Sequence, residues 1–195
     1  ALFRRGWKYM REGKASEAAA DFERASRDNG ALRGNEPMAF DFSLAMAQLD
    51  KGQAAEASKI FKQLAQRGNQ GSYLRPPYAK LGNQFFSAYA NYRSGNLNLR
   101  QQAAAEFTKI STEASGAFAA KIRDLIASSW ELVAYDQWRA GRQGQAAKAL
   151  ASALRYADGD IKRRTTHNRS VLGLSRESPE TFESFAGNPA EAWVN

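Results

Sequence analysis

Gly6-Trp7-Lys8-Tyr9-Met10-Arg11-Glu12-Gly13-Lys14-Ala15-Ser16-Glu17-Ala18-Ala19-Ala20-Asp21-Phe22-Glu23-Arg24-Ala25 is the stretch whose reading decides the fold. It reads as two short helices joined by a tight turn at Gly13-Lys14. Gly6 and Tyr9 share a face of the first helix, because three residues make nearly one turn. Ala18, Phe22 and Ala25 form a stripe on the second. The small Gly6 and Ala18 let two backbones approach, and Tyr9 and Phe22 fill the space beside them. Neither helix can bury its stripe alone, so the unit must stack on neighbours and recur.

It does recur. Leu44, Ala45, Gly52, Ala57, Phe61 and Leu64 repeat the small and large positions over 37–68, with Gln48 departing from the pattern where the first unit has Tyr9. Gly34-Asn35-Glu36-Pro37 reads as the intervening loop, with Pro37 suited to a first helical turn. Gly68 to Pro77 reads as loop from its Gly, Asn and Pro content. A long helix over 78–94 follows, then a turn at Ser94-Gly95-Asn96. Leu97-Asn98-Leu99 reads as an insertion before a helix carrying Ala103, Phe107 and Ile110. Over 116–159, Trp130, Val133, Ala134 and Trp138 precede Gly141, and Ala146, Leu150 and Ala153 mark the second helix. A further helix is expected over 160–174. Ser178-Pro179 opens a short one that ends near Gly187.

The spacing Gly6, Tyr9, Gly13, Ala18, Phe22, Ala25 resembles the tetratricopeptide repeat (TPR), a helix–turn–helix unit of about 34 residues. The resemblance implies an all-α fold, a right-handed helix-turn-helix solenoid. It would hold about four units (about 1–30, 37–68, 78–115 and 116–159) and extra C-terminal helices over 160–187. Residues 189–195, with Pro189 and Trp193, look like the opening of another unit. Ala1 falls inside a first helix, so the chain reads as a segment of a longer repeat protein.

The resemblance also implies a function. In such arrays the first helices line a concave face that takes a peptide or helix of a partner protein. Position by position, that face would hold Trp7, Met10 and Arg11, then Phe42 and Met46, then Phe85, Tyr89, Tyr92 and Arg93, then Tyr135, Trp138 and Arg139. Phe3, Leu49, Asp50 and Glu131 would lie alongside. Aromatics, Met and Arg are the residues enriched at interfaces, and Arg can fork to a carboxylate or stack on a ring. The competing reading is that several of them pack against a neighbouring second helix. TPR domains that clamp a terminal carboxylate use Lys, Asn and Arg here; this face holds mainly aromatics and aliphatics, which argues against that subclass.

Composition narrows the chemistry. With 43% hydrophobic and 25% charged residues the chain is ordinary for a packed domain. No apolar run reaches the roughly 18 residues of a membrane span, so no membrane insertion is expected. There is no cysteine, which excludes disulfides, thiolate metal sites and cysteine nucleophiles. The one histidine, His167, sits in a basic polar stretch and reads as a solvated surface residue. Asp158-Gly159-Asp160 lacks the further ligands of a calcium loop, and no phosphate-binding glycine loop is present. No enzyme and no cofactor is expected.

The net charge is +8, and its excess is concentrated. Residues 57–105 hold no Asp or Glu but seven bases: Lys59, Lys62, Arg67, Arg75, Lys80, Arg93 and Arg100. Tyr73, Tyr78, Phe85, Phe86, Tyr89 and Tyr92 are interleaved with them. Bases and aromatics together can hold single-stranded nucleic acid by charge and stacking. An RNA- or polyanion-binding protein is therefore the second reading, and a structural spacer the third. Lys162-Arg163-Arg164 with Arg169 reads as a solvated face. The Ala-, Arg- and Gln-rich makeup suggests a bacterial origin and a periplasmic or cell-envelope assembly factor, with the cytoplasm left open.

Overall fold

A computed structural model describes residues 2–28, 36–67 and 71–171. Among the described residues there are nine helices: α1 (Leu2–Arg11), α2 (Ala15–Asp28), α3 (Glu36–Asp50), α4 (Ala54–Gln66), α5 (Tyr78–Arg93), α6 (Leu97–Ser111), α7 (Gly116–Arg139), α8 (Gln143–Leu154) and α9 (Gly159–Val171). The all-α expectation is met. The helices fall into two compact units, one ending at Ser94 and one starting at Gly95.

In the first unit each helix packs on the next in chain order, α1 on α2 through α4 on α5, and α1 also touches α3. The turns explain why. Gly13 and Gly52 have φ of 71° and 86°, a left-handed conformation that costs other residues their Cβ clearance. The Gly13 N–H donates to the Met10 carbonyl at 3.1 Å and the Lys14 N–H to the Tyr9 carbonyl at 2.9 Å. Gly52 and Gln53 repeat this onto Leu49 and Gln48 at 3.0 and 2.8 Å. This is the Schellman stop, which satisfies the last carbonyls of a helix and turns the chain sharply back.

Gly6 is the close approach read in the sequence. A Cβ there would lie 2.5 Å from the Phe22 ring. Deeper in the unit, the fully buried Phe42 meets the rings of Phe61, Tyr73 and Phe86 edge-on, with centroids 5.4, 5.9 and 5.0 Å apart. Each such pair adds about 0.5–1.5 kcal/mol beyond its buried area. Tyr73 and Leu74 come from the irregular segment before α5. That segment is not a loop over solvent alone, since both side chains are buried and the Tyr73 hydroxyl donates to Asn83.

Ion pairs cross the helices. Arg5 grips both carboxylate oxygens of Asp21 at 2.6 Å, joining α1 to α2. Asp41 of α3 accepts from Ser26 of α2 at 3.0 Å and from Arg67, just past α4, at 2.9 Å.

In the second unit α6 packs on α7, α7 on α8, and α9 on both α8 and α7. Gly141, with φ of 76°, closes the α7–α8 turn by the same two bonds, onto Trp138 and Gln137 at 2.9 Å each. Leu97-Asn98-Leu99 is not an insertion, contrary to the sequence expectation. It is the first turn of α6, started by Asn96, whose side chain accepts from the Leu99 N–H at 3.1 Å. Asn is a favoured cap because its short side chain reaches an otherwise unbonded N–H. The expected helix over 160–174 is α9 as far as residue 171; Leu172 and Leu174, the helix after Ser178, the unit opening over 189–195 and the turn at Asn29-Gly30 lie outside the described residues.

Candidate functional site

One seven-residue pattern spans the end of four helices and closes on a positive-φ glycine each time. It reads Trp7-Lys-Tyr9-Met10-Arg11-Glu-Gly13, Met46-Ala-Gln48-Leu49-Asp50-Lys-Gly52, Tyr89-Ala-Asn91-Tyr92-Arg93-Ser-Gly95 and Tyr135-Asp-Gln137-Trp138-Arg139-Ala-Gly141. Arg11, Asp50, Arg93 and Arg139 are each the last residue of their helix, and all four are exposed. The third position holds an amide three times, so Tyr9 is the departure and Gln48 the rule. Asn91 is buried and accepts from Ser58 of α4 at 2.6 Å; Gln137 is buried and accepts from Arg142 at 2.5 Å.

The twelve expected groove residues divide by exposure. Phe42, Met46, Phe85, Tyr89 and Tyr92 are buried. Phe42 is part of the aromatic core, and Phe85 lies against Tyr78 at 5.2 Å and Phe86 at 5.0 Å. For Phe42 and Phe85 the packing reading holds. Trp7 and Met10 are half-buried against Ala18, Ala19, Phe22 and Ala47, and the Trp7 ring meets Phe22 edge-on at 5.7 Å. Tyr135 and Trp138 are half-buried, stacked at 6.1 Å with 30° between their planes. Trp138 also leans on the cluster of Val133, Ala134, Ala146, Ala149 and Leu150. Arg11, Arg93 and Arg139 are exposed.

Two of those arginines make the same contact. The Arg93 guanidinium lies 5.9 Å from the Tyr89 ring centre and donates to the Tyr89 hydroxyl at 3.3 Å. The Arg139 guanidinium lies 5.6 Å from the Tyr135 ring centre. Four residues apart on a helix, the cation and the ring are neighbours, and the ring quadrupole holds the charge. The contact restrains the guanidinium on an exposed residue.

Three of the seven bases of the acid-free stretch pair with acids. Arg67 pairs with Asp41 at 2.9 Å, Lys59 with Glu56 at 3.1 Å, and Arg100 with both oxygens of Asp136 at 2.8 Å. Lys62 and Arg75 are exposed. The interleaved Tyr73, Phe85, Phe86, Tyr89 and Tyr92 are all buried, which withdraws the stacking faces. The basic cluster of α9 is divided too. Arg163 pairs with Asp160, whereas Arg164 turns inward to Glu131 of α7. Arg164 is thus not part of a solvated face, and Glu131, expected along the groove, is its buried partner. The Thr165 hydroxyl donates to the same carboxylate at 2.6 Å.

No helix among the described residues is long and apolar enough to cross a membrane, and no cluster of three or more His, Asp or Glu among them could hold a metal. No family model, curated protein or solved structure matches the chain.

Proposed function

We propose that the chain is a protein-interaction scaffold built from tetratricopeptide-like helix pairs, binding a peptide or helix of another protein. The observation that carries this reading is the recurring seven-residue pattern before the turn glycines, with a large apolar or aromatic first residue and an exposed arginine in three of its four copies. Trp7, Met10, Tyr135 and Trp138 keep part of their apolar surface uncovered beside Arg11 and Arg139. Half-buried aromatics next to arginine are the composition of binding hot spots, because a rigid ring buries a large area at small entropic cost. A cell-envelope or periplasmic assembly role remains part of the proposal on composition alone.

A pull-down from a bacterial lysate at 50 mM and 500 mM salt tests it, comparing the chain with an Arg11→Gln/Tyr135→Ala/Arg139→Gln variant. These side chains are at least partly exposed, so the variant should fold. A protein retained at high salt by the wild type and lost by the variant is expected. The second reading, a polyanion binder, rests on the residual positive charge. It requires nucleic acid recovered at low salt and released steeply by high salt, since phosphate contacts release counterions.

A further inference from the structure

We infer that the C-terminal turn of α7 is a docking site for an acidic peptide segment, one that seats a carboxylate on Arg139 and an apolar side chain on Tyr135 and Trp138. The inference rests on the protein-binding reading above and specifies its ligand chemistry.

Three observations carry it. First, the local charge is positive and unspent. The acid beside the site, Asp136, is already held by Arg100, and both side chains are mostly buried, 17% and 15% exposed. Arg139 has no carboxylate partner among the described residues, and neighbouring Arg142 binds only the neutral Gln137 amide. Second, Arg139 is pre-aimed. Its contact with the Tyr135 ring at 5.6 Å removes rotamer freedom before a ligand arrives, so less is lost on binding. Third, Tyr135 and Trp138 are stacked and only half-covered, in contrast to the buried Tyr89 and Tyr92 at the same places in α5. A carboxylate and an apolar group on one short segment would satisfy both features at once. A cation in the last turn also suits the helix dipole; that role alone would show in stability and not in ligand selectivity.

The test uses fluorescence anisotropy with two labelled decapeptides, one alternating Glu with Leu or Phe and one with every Glu replaced by Gln. The Glu peptide should bind about tenfold tighter, the worth of one charge-assisted hydrogen bond. Arg139→Gln should abolish the preference without changing the melting curve, and Arg139→Lys should keep part of it. Tyr135→Ala should weaken both peptides together. Equal binding of the two peptides, or a preference untouched by Arg139→Gln, would overturn the acidic-ligand inference and leave the protein-binding reading standing. If neither peptide binds, both go. A single-stranded oligonucleotide that displaces the Glu peptide and binds more tightly would replace both with the polyanion reading.

Discussion

Replacing Glu131 tests the most consequential buried contact in the second unit. Its carboxylate is 2% exposed and accepts from the Arg164 guanidinium and from the Thr165 hydroxyl, so one α7 residue holds two from α9. Among the described residues, the apolar seat of α9 is the small cluster of Ala127, Ala157 and Ile161 with Tyr156 at its edge. Glu131→Gln keeps the shape and removes the charge. The Arg164 side chain, 16% exposed, then loses its ion pair with Glu131. Breaking a buried pair from one side costs 3–5 kcal/mol, and partial exposure of Arg164 puts the expectation at the lower end, about 3 kcal/mol. With a urea slope of about 1.5 kcal/mol/M, the midpoint of this unit should fall by about 2 M. Trp130 and Trp138 in α7 supply the fluorescence signal. The pair itself can be dispensable even though each half is not. Glu131→Met with Arg164→Met should recover most of the loss, because burying two ions costs about as much as their attraction returns. Hydrogen exchange should show α9 amides opening first in the single variant. A Glu131→Gln midpoint within 0.3 M of wild type, with α9 protection unchanged, would refute the argument that this pair seats α9.

Gly6→Ala should destabilise the first unit by about 1–3 kcal/mol in urea, because the new Cβ would overlap the buried Phe22 ring. Gly144→Ala, in an exposed turn of α8 with open space around it, should instead stabilise the second unit by about 0.5–1 kcal/mol; equal effects of the two would sink the close-approach reading. The hydrogen bond and charge of Arg5 hold the Asp21 carboxyl below its ordinary value of 3.8. That pair therefore stabilises at neutral pH, and its contribution is lost as pH falls below 3.8 through the folded-state value. Urea midpoints at pH 7, 4 and 2.5 should show a smaller acid loss in Arg5→Gln than in wild type. Burial raises the Tyr73 hydroxyl above its ordinary value of 10.0. The stability it supports is present below pH 10 and drains as pH rises towards the folded value, so Tyr73→Phe should flatten the alkaline limb. The same change should cost about 1–2 kcal/mol at neutral pH, since it strips buried Asn83 of this donor. Asn168 is 1% exposed and neither of its side-chain polar atoms has a partner among the described residues, so Asn168→Leu should raise the melting temperature; a fall would mean the amide is satisfied in solution.

What the sequence made legible was local. A left-handed turn has a nearly obligatory residue, so Gly13, Gly52, Gly95 and Gly141 announced themselves. The pairing of a missing side chain with a large ring, Gly6 with Phe22, is a size complement that spacing can expose. The start of α6 was legible too, since Asn96 is a cap residue, but Leu97 and Leu99 broke the apolar period and drew the reading towards an insertion. The partners of charges were not legible. Arg67 finds Asp41 26 residues away and Arg100 finds Asp136 36 away, distances set by helix packing and by nothing in the local pattern. Periodicity also failed to separate groove from core in α5, where almost every residue from Leu81 to Tyr92 is buried. A helix enclosed on all sides has no outer stripe to read, so Phe85 and Tyr92 looked like Trp7 or Tyr135.

The seven-residue pattern separates what folding demands from what it leaves free. The glycine is required by the turn. The fourth residue, Met10, Leu49, Tyr92 or Trp138, is apolar in every copy and at least half-covered. The fifth is exposed each time and ends its helix, so packing places no demand on it. The helix dipole favours a cation there by about 0.3–1 kcal/mol, which suits Arg11, Arg93 and Arg139 but disfavours Asp50. Burial raises the Asp50 carboxyl above its ordinary value, and the charge of Arg93 counters that only in part. A dipole requirement would be met equally by lysine, whose compact ammonium cannot stack flat on a ring. Arg93 lies over Tyr89 and Arg139 over Tyr135 in cation–π contacts. They are the reason to look for a ligand at the surface position the fold leaves unconstrained, and at α7 first, where the ring beneath the arginine is half-buried and not fully buried.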